Sequence, residues 1–275
     1  MKKLLALVLT LVLILTAVSA FAEKLVIGGT STPHVVILNQ LVDDMKALGY
    51  ELEVKDFVEW VLLNPSTSDG DLQANYFQHL PYLSDYNASV SADKQLVAVI
   101  PVHYEPLGLY AGTKTSLDAI AEGDKIAVPN DATNGTRALL LLQDAGLIKL
   151  PEGSGPSTPV TVKEIAENPM NLKFEELDAA LIPAARPDVA FAVINGNNAL
   201  LNGLNPQKDA LFIEPADGEA AKTYTNYIVV RAADEKAPFV EALRSVVQTQ
   251  KIKDFILNNP DFAGGVIPSF EVPAE

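Results

Sequence analysis

Short apolar runs alternate with stretches of helical spacing along nearly the whole chain, and this alternation limits the fold more than any other feature. Lys24 to Thr30 (KLVIGGT) reads as a buried strand. From Pro33 through His34 to Leu48 the apolar positions recur at helical spacing and stop at Gly49, and Glu51 to Phe57 alternates as a second strand. A helix joining two strands of one sheet makes them parallel. Further strands are predicted at Gln95 to Pro101, Leu107 to Ala111, Lys125 to Pro129, Asn171 to Leu177, Val189 to Ile194, Leu211 to Glu214 and Tyr227 to Arg231. Helices are predicted at Leu72 to His79, Ser116 to Ala121, Asn134 to Ala145, Val162 to Glu167, Asp178 to Ala185, Asn198 to Leu201, Lys236 to Thr249 and Ile252 to Asn258. Such a sequence of elements argues for α/β layers, each a sheet flanked by helices.

Two extended stretches, His103 to Thr113 and Tyr224 to Arg231, separate blocks that carry their own strands and helices. If both are crossovers, residues 23–110 and 228–275 form one lobe and 111–227 a second. Two lobes joined by two hinge strands enclose a cleft, where small ligands bind. The segment from Pro151 to Pro159 (PEGSGPSTP) reads as a surface loop.

The chain begins Met1-Lys2-Lys3, runs apolar from Leu4 to Val18, and reaches Ala20-Phe21-Ala22 before Glu23-Lys24. A positive start, an apolar stretch shorter than the roughly 20 residues of a membrane span, and small residues at the end form a signal-peptide pattern, with cleavage expected after Ala22 and an uncleaved anchor as the alternative. The sequence contains no cysteine, which removes disulfides, thiolate metal sites and cysteine nucleophiles. A net charge of −15 opposes binding to phosphate backbones, so nucleic acid is not an expected partner.

Three groups of residues could carry chemistry. In Pro129-Asn-Asp-Ala-Thr-Asn-Gly-Thr-Arg137, a strand ends, capping residues follow and a helix begins; its free amides and the Arg137 guanidinium would attract a carboxylate. The alternative is a surface arginine. In the second group, Trp60, Phe77, His79, Tyr82 and His103 supply rings with few charges, either as walls around an apolar or soft side chain or as an aromatic core. In the third, Asn195 and Asn226 stand at strand ends, where a short amide can accept from an ammonium and donate to a carboxylate, although Asn195-Gly196 is also a common turn.

Six ordered motifs make a resemblance: Asn75-Tyr-Phe-Gln-His-Leu-Pro-Tyr82, His103-Tyr-Glu-Pro-Leu-Gly-Leu-Tyr110, Pro129-Asn-Asp with Arg137-Ala-Leu, Val193-Ile-Asn-Gly-Asn197, Tyr224-x-Asn226 and Val266-Ile-Pro-Ser-Phe270. From about Lys24 to Phe270 the chain resembles the methionine-binding substrate-binding proteins of ABC importers, the NlpA/MetQ lipoprotein family. The resemblance implies a two-lobed periplasmic-binding-protein fold, each lobe a mixed sheet flanked by helices, with two crossover hinge strands. It further implies a receptor for L- or D-methionine, a related amino acid or a methionine-containing dipeptide, with no cofactor. Arg137 would hold the ligand carboxylate, Asn195 and Asn226 the amino-acid backbone, and Trp60, Phe77, His79, Tyr82 and His103 would surround the thioether. The implied partners are a membrane permease and its ATPase subunit, with the receptor itself a monomer. Two departures stand out: Trp60 replaces a more usual tyrosine, and no lipobox cysteine is present. The chain is therefore expected to be exported, to the periplasm or the outer face of the cytoplasmic membrane, without the family's lipid anchor.

Two other readings follow from the residues. His34, His79 and His103 with Glu105 could ligate zinc or manganese, making a metal receptor. Alternatively, His79 or His103 with Glu105 or Asp131 could serve as acid and base in an enzyme. The sequence carries no G-x-S-x-G elbow, Walker loop or G-x-G-x-x-G, and the receptor reading expects no catalysis.

Overall fold

The computed structural model describes residues 22–262 and 264–273. The expected export signal lies outside the described residues except for Ala22. No helix among the described residues is long and apolar enough to cross a membrane.

Strand β1 (Glu23–Gly29) pairs in parallel with β2 (Tyr50–Asp56), Ile27 opposite Val54, as the strand-helix-strand pattern requires. It pairs in parallel on its other side with β3 (Ala74–His79). Next comes β10 (Thr225–Arg231), antiparallel both to β3 and to β4 (Leu96–Tyr104), and β11 (Ile267–Pro268) closes the edge against Tyr104 and His103 of β4. The resulting order is β11-β4-β10-β3-β1-β2. A second mixed sheet runs β7 (Lys173–Leu177), β6 (Lys125–Pro129), β8 (Phe191–Ile194), β5 (Gly108–Ala111) and β9 (Ala210–Ile213). The chain leaves the first sheet after Tyr104, enters the second at Gly108, and returns from β9 to β10.

Each sheet has its own core. Leu25, Ile27 and Tyr76 of the first pack with Leu38, Leu41 and Met45, and with Val240, Leu243 and Val247, which share one face of the helix Pro238–Val247. Ile126, Val128, Phe191 and Val193 of the second pack with Leu139 and Leu142 from the helix Ala132–Asp144. The two mixed sheets and their flanking helices are the fold class expected.

Several local expectations need correction. The segment Leu72 to His79 is the strand β3 and not a helix; the helices lie on either side, at Leu63–Asp69 and Leu80–Ser89. Central strands are buried on both faces and lose the polar alternation that marks a half-exposed strand. A register shift opposite β10 sets Tyr76 against Ile228 and Gln78 against Tyr227. Phe77 is thus an extra, unpaired residue, which puts Asn75 and Gln78 on one face and disrupts period-two reading. Those two amides are buried because they bond to each other (2.8 Å) and to Asn64 (3.1 and 2.5 Å). The expected helix from Pro33 to Leu48 is broken into short turns at Val36–Leu38, Asn39–Leu41 and Val42–Ala47. Those expected at Ser116 to Ala121 and Val162 to Glu167 shrink to single turns, Leu117–Ala119 and Val162–Glu164.

Candidate functional site

Between the two sheets lies a cavity of about 400 Å³. From the first-sheet side it is lined by Thr30, His34, Trp60, Phe77, Gln78, His79 and Tyr82; from the second by Asn134, Arg137, Leu181, Asn195 and Asn197; and Glu105 and Asn226 reach it from the crossover ends of β4 and β10. Seven of the eight residues singled out from the sequence meet here. His103 does not line the cavity and lies fully buried behind it.

The Arg137 environment starts from the end of β6. Asp131 caps the helix Ala132–Asp144, its Oδ1 accepting from the amide of Asn134 at 2.9 Å, two residues earlier than the sequence reading started it. One turn on, Arg137 is buried, 3% exposed, which removes the surface-arginine alternative. Its Nε donates to Glu214 Oε1 (2.8 Å) and its Nη2 to Glu214 Oε2 (2.5 Å) and to the carbonyl of Glu105 (2.8 Å). Glu214 also accepts from the Tyr104 hydroxyl (2.8 Å) and the Leu107 amide (2.9 Å). The Tyr224 ring lies 4.0 Å from the guanidinium carbon. Burial works against the guanidinium charge, but Glu214 outweighs it and holds the pKa above the ordinary value. These bonds use Nε and Nη2; Nη1 takes part in none of them, and the side chain lines the cavity.

Asn134 organises the facing wall. Its Oδ1 accepts from Asn195 Nδ2 at 2.7 Å and from His79 Nε2 at 3.3 Å, while His79 Nδ1 accepts from the Tyr82 amide at 3.3 Å. These partners assign a neutral His79 protonated at Nε2, and burial followed by the Arg137 charge pushes its pKa down to about 3. With Nδ2 so used, Asn195 Oδ1 is buried without a partner, an acceptor whose desolvation calls for a donor from a bound molecule.

The rings come from three elements. Trp60 sits in the turn after β2, Phe77 is the bulged residue of β3, and Tyr82 begins the helix that His79 caps. Their centroids lie 5.1 Å apart for Trp60 and Tyr82, 5.8 Å for Phe77 and Tyr82, and 6.4 Å for Trp60 and Phe77, so they form one continuous wall.

Behind the cavity, His103 Nε2 donates to Glu105 Oε1 at 2.7 Å and its Nδ1 accepts from the Tyr76 hydroxyl. His34 bonds Thr30 through Nδ1 (2.8 Å) and Asn226 Oδ1 through Nε2 (3.2 Å), with Glu105 Oε1 at 3.5 Å. Burial lowers the pKa of His34 to about 4 and of His103 to about 3, so both rings are neutral at neutral pH. Of the four residues considered for a metal, His34, His103 and Glu105 present ligand atoms within 4.8 Å of one another, while His79 stands apart on Asn134. Each of the ring nitrogens already has a protein partner, and an ion would have to displace those bonds.

Sequence reasoning missed Glu214 and Asn134. Glu214 is a carboxylate just after the half-buried strand β9, but nothing in the sequence pairs it with an arginine 77 positions away. From the sequence alone Asn134 marks no more than the start of a helix.

Comparison with known proteins supplies the context. The family profile described as NlpA lipoprotein matches residues 25–270. The chain is 36% identical over 253 residues to the methionine-binding lipoprotein MetQ of Bacillus subtilis (strain 168), covering 90% of this chain and 89% of the relative. It is 38% identical over 221 residues to the D-methionine-binding lipoprotein MetQ of Escherichia coli (strain K12), covering 80% and 78%. The solved structure of a nutrient binding protein from Burkholderia cenocepacia bound to methionine superposes with a TM-score of 0.82 at 38% identity, covering 90% of this chain and all of that one (100%). These names correct one expectation, that the chain is exported without lipid anchoring: both MetQ relatives are lipoproteins. The absence of cysteine speaks to one anchoring chemistry and not to where a protein resides.

Proposed function

The chain belongs to the NlpA lipoprotein family, and from that premise we propose that its interlobe cavity is the methionine site of a substrate-binding receptor serving an ABC importer. The observation that carries this reading is a buried acceptor left without a partner among the described residues, Asn195 Oδ1, on a cavity wall that also holds the Arg137 guanidinium and three rings. A zwitterion supplies the complement. Its carboxylate accepts from Nη1, its ammonium donates to Asn195 Oδ1 and to Asn226, and its thioether lies against Trp60, Phe77 and Tyr82 with His79 beside them. Sulfur against ring edges contributes about 0.3 to 1.5 kcal/mol per contact. His103 acts one layer back, holding Glu105 in place.

The function is binding and release. His79, His34 and His103 have pKa values far below neutrality and are committed to hydrogen bonds, which suits positioning better than proton transfer. In this reading the receptor works as a monomer, returns its ligand unchanged and hands it to a permease driven by an ATPase subunit. Two lobes, residues 23–104 with 225–273 on the first sheet and residues 108–213 on the second, close on the ligand about the crossovers between them. Native mass spectrometry of protein purified without refolding tests the assignment. A retained mass equal to methionine supports it, and retention of a solute that lacks an α-amino acid group overturns it.

A further inference from the structure

The charges around the cavity do not match a neutral tail. Arg137 is the one cation among the described lining residues, and Glu214 neutralises it through both carboxylate oxygens. The second charged lining residue, Glu105, is an acid, and the histidines are uncharged at neutral pH. The lining residues therefore carry no net positive charge before binding. Acids also stand around the aromatic wall. Burial first, and then the charges of Asp131, Asp85 and Asp178, push the Tyr82 hydroxyl above its ordinary pKa, with no cation acting in the opposite direction. A zwitterion leaves this imbalance in place. A ligand with one further positive charge at the ring end removes it.

The wall also selects the kind of cation. A primary ammonium needs hydrogen-bond acceptors, which ring faces do not provide, whereas a methylated onium centre sheds water readily and is attracted to the faces of indole, phenol and phenyl rings within about 6 Å. Resting on the amino-acid reading of the same cavity, we infer that it accepts α-amino acids whose side chain ends in a methylated cation, foremost the dimethylsulfonium formed when methionine carries a second methyl on sulfur. The α-carboxylate and α-ammonium keep their places on Arg137 and Asn195, and the cavity of about 400 Å³ has room for the added methyl.

The test compares S-methylmethionine with its uncharged carbon isostere, 2-amino-5-methylhexanoic acid, by calorimetric titration beside methionine itself. The sulfonium is expected to bind on the order of tenfold tighter than the isostere. The ratio should shrink as ionic strength rises from about 0.01 M to 1 M, because Asp85 and Asp178 are screened from the solvent side. Trp60→Leu removes the indole face and should bring the ratio to about twofold, whatever it does to the affinity of either ligand alone. Equal or weaker binding of the sulfonium in the unmodified protein overturns the inference. If methionine still binds in that case, the receptor reading stands; if no amino acid binds, both fail. Should Trp60→Leu not fold, the ligand comparison in the unmodified protein decides alone.

Discussion

Replacing Arg137 by methionine leaves a stem of similar shape but removes the cation paired with Glu214. The carboxylate is 8% exposed and keeps the Tyr104 hydroxyl and the Leu107 amide, but loses two charge-assisted bonds at 2.8 and 2.5 Å. The guanidinium contact with the Tyr224 ring at 4.0 Å goes as well. Breaking a buried pair from one side costs about 3 to 5 kcal/mol, most of it the stranded charge. Glu214→Gln should cost a similar amount from the other side, since it strands the guanidinium. Removing both charges, in Arg137→Met with Glu214→Gln, strands neither. The double variant should therefore be more stable than the sum of the single losses by at least about 2 kcal/mol. Urea denaturation of the four proteins, extrapolated linearly and compared at equal slope, gives the coupling directly. Additivity within about 0.5 kcal/mol would refute the argument that this pair is held by mutual neutralisation.

Asn195→Ala deletes the unpartnered acceptor together with the bond to Asn134 and should weaken methionine binding by about 1 to 3 kcal/mol; an unchanged dissociation constant would remove Asn195 from the ligand contacts. Gly196→Ala would place a Cβ 2.7 Å from the Glu105 Cβ, forcing the helix Gly196–Leu201 away from the crossover at a cost of about 1 to 3 kcal/mol; a melting temperature equal to the parent's would argue against that close approach. The three histidines make the fold acid-sensitive. Their folded pKa values, about 4, 3 and 3, lie below the unfolded value near 6.5, so the unfolded state binds more protons and stability is lost as pH falls through that window. Each contributes up to about 2 kcal/mol of loss between pH 6.5 and 5, and Glu105, whose carboxyl burial holds above its ordinary value, opposes them in part. Denaturation midpoints at pH 7 and pH 5 measure the net, and a higher midpoint at pH 5 would contradict the sign.

What could be read from the sequence, and what could not, divides along physical lines. β6 spans the expected Lys125 to Pro129, and β1 and β2 pair in parallel, because apolar runs bounded by turn residues report directly on strands. β3 was misread because its polar residues, Asn75 and Gln78, are buried by bonding to each other and to Asn64, and because a bulge at Phe77 breaks the period of two. At the cavity, residue chemistry and the family resemblance pointed to Arg137, the asparagines and the rings. They did not show that Arg137 is already bound to Glu214, since that contact joins strand β9 to the helix Ala132–Asp144 through the tertiary fold alone. Nor could spacing place His103 behind the cavity. As the penultimate residue of β4, it projects toward Tyr76 and Glu105, and only the sheet order reveals which neighbours it has.

Calorimetric titration of methionine into ligand-free protein reaches the central claim most directly. One saturable site of micromolar affinity or tighter, lost in Arg137→Met variants that remain folded, is the expected result. No heat and no rise in melting temperature at millimolar methionine, or full binding without the Arg137 guanidinium, would contradict the account.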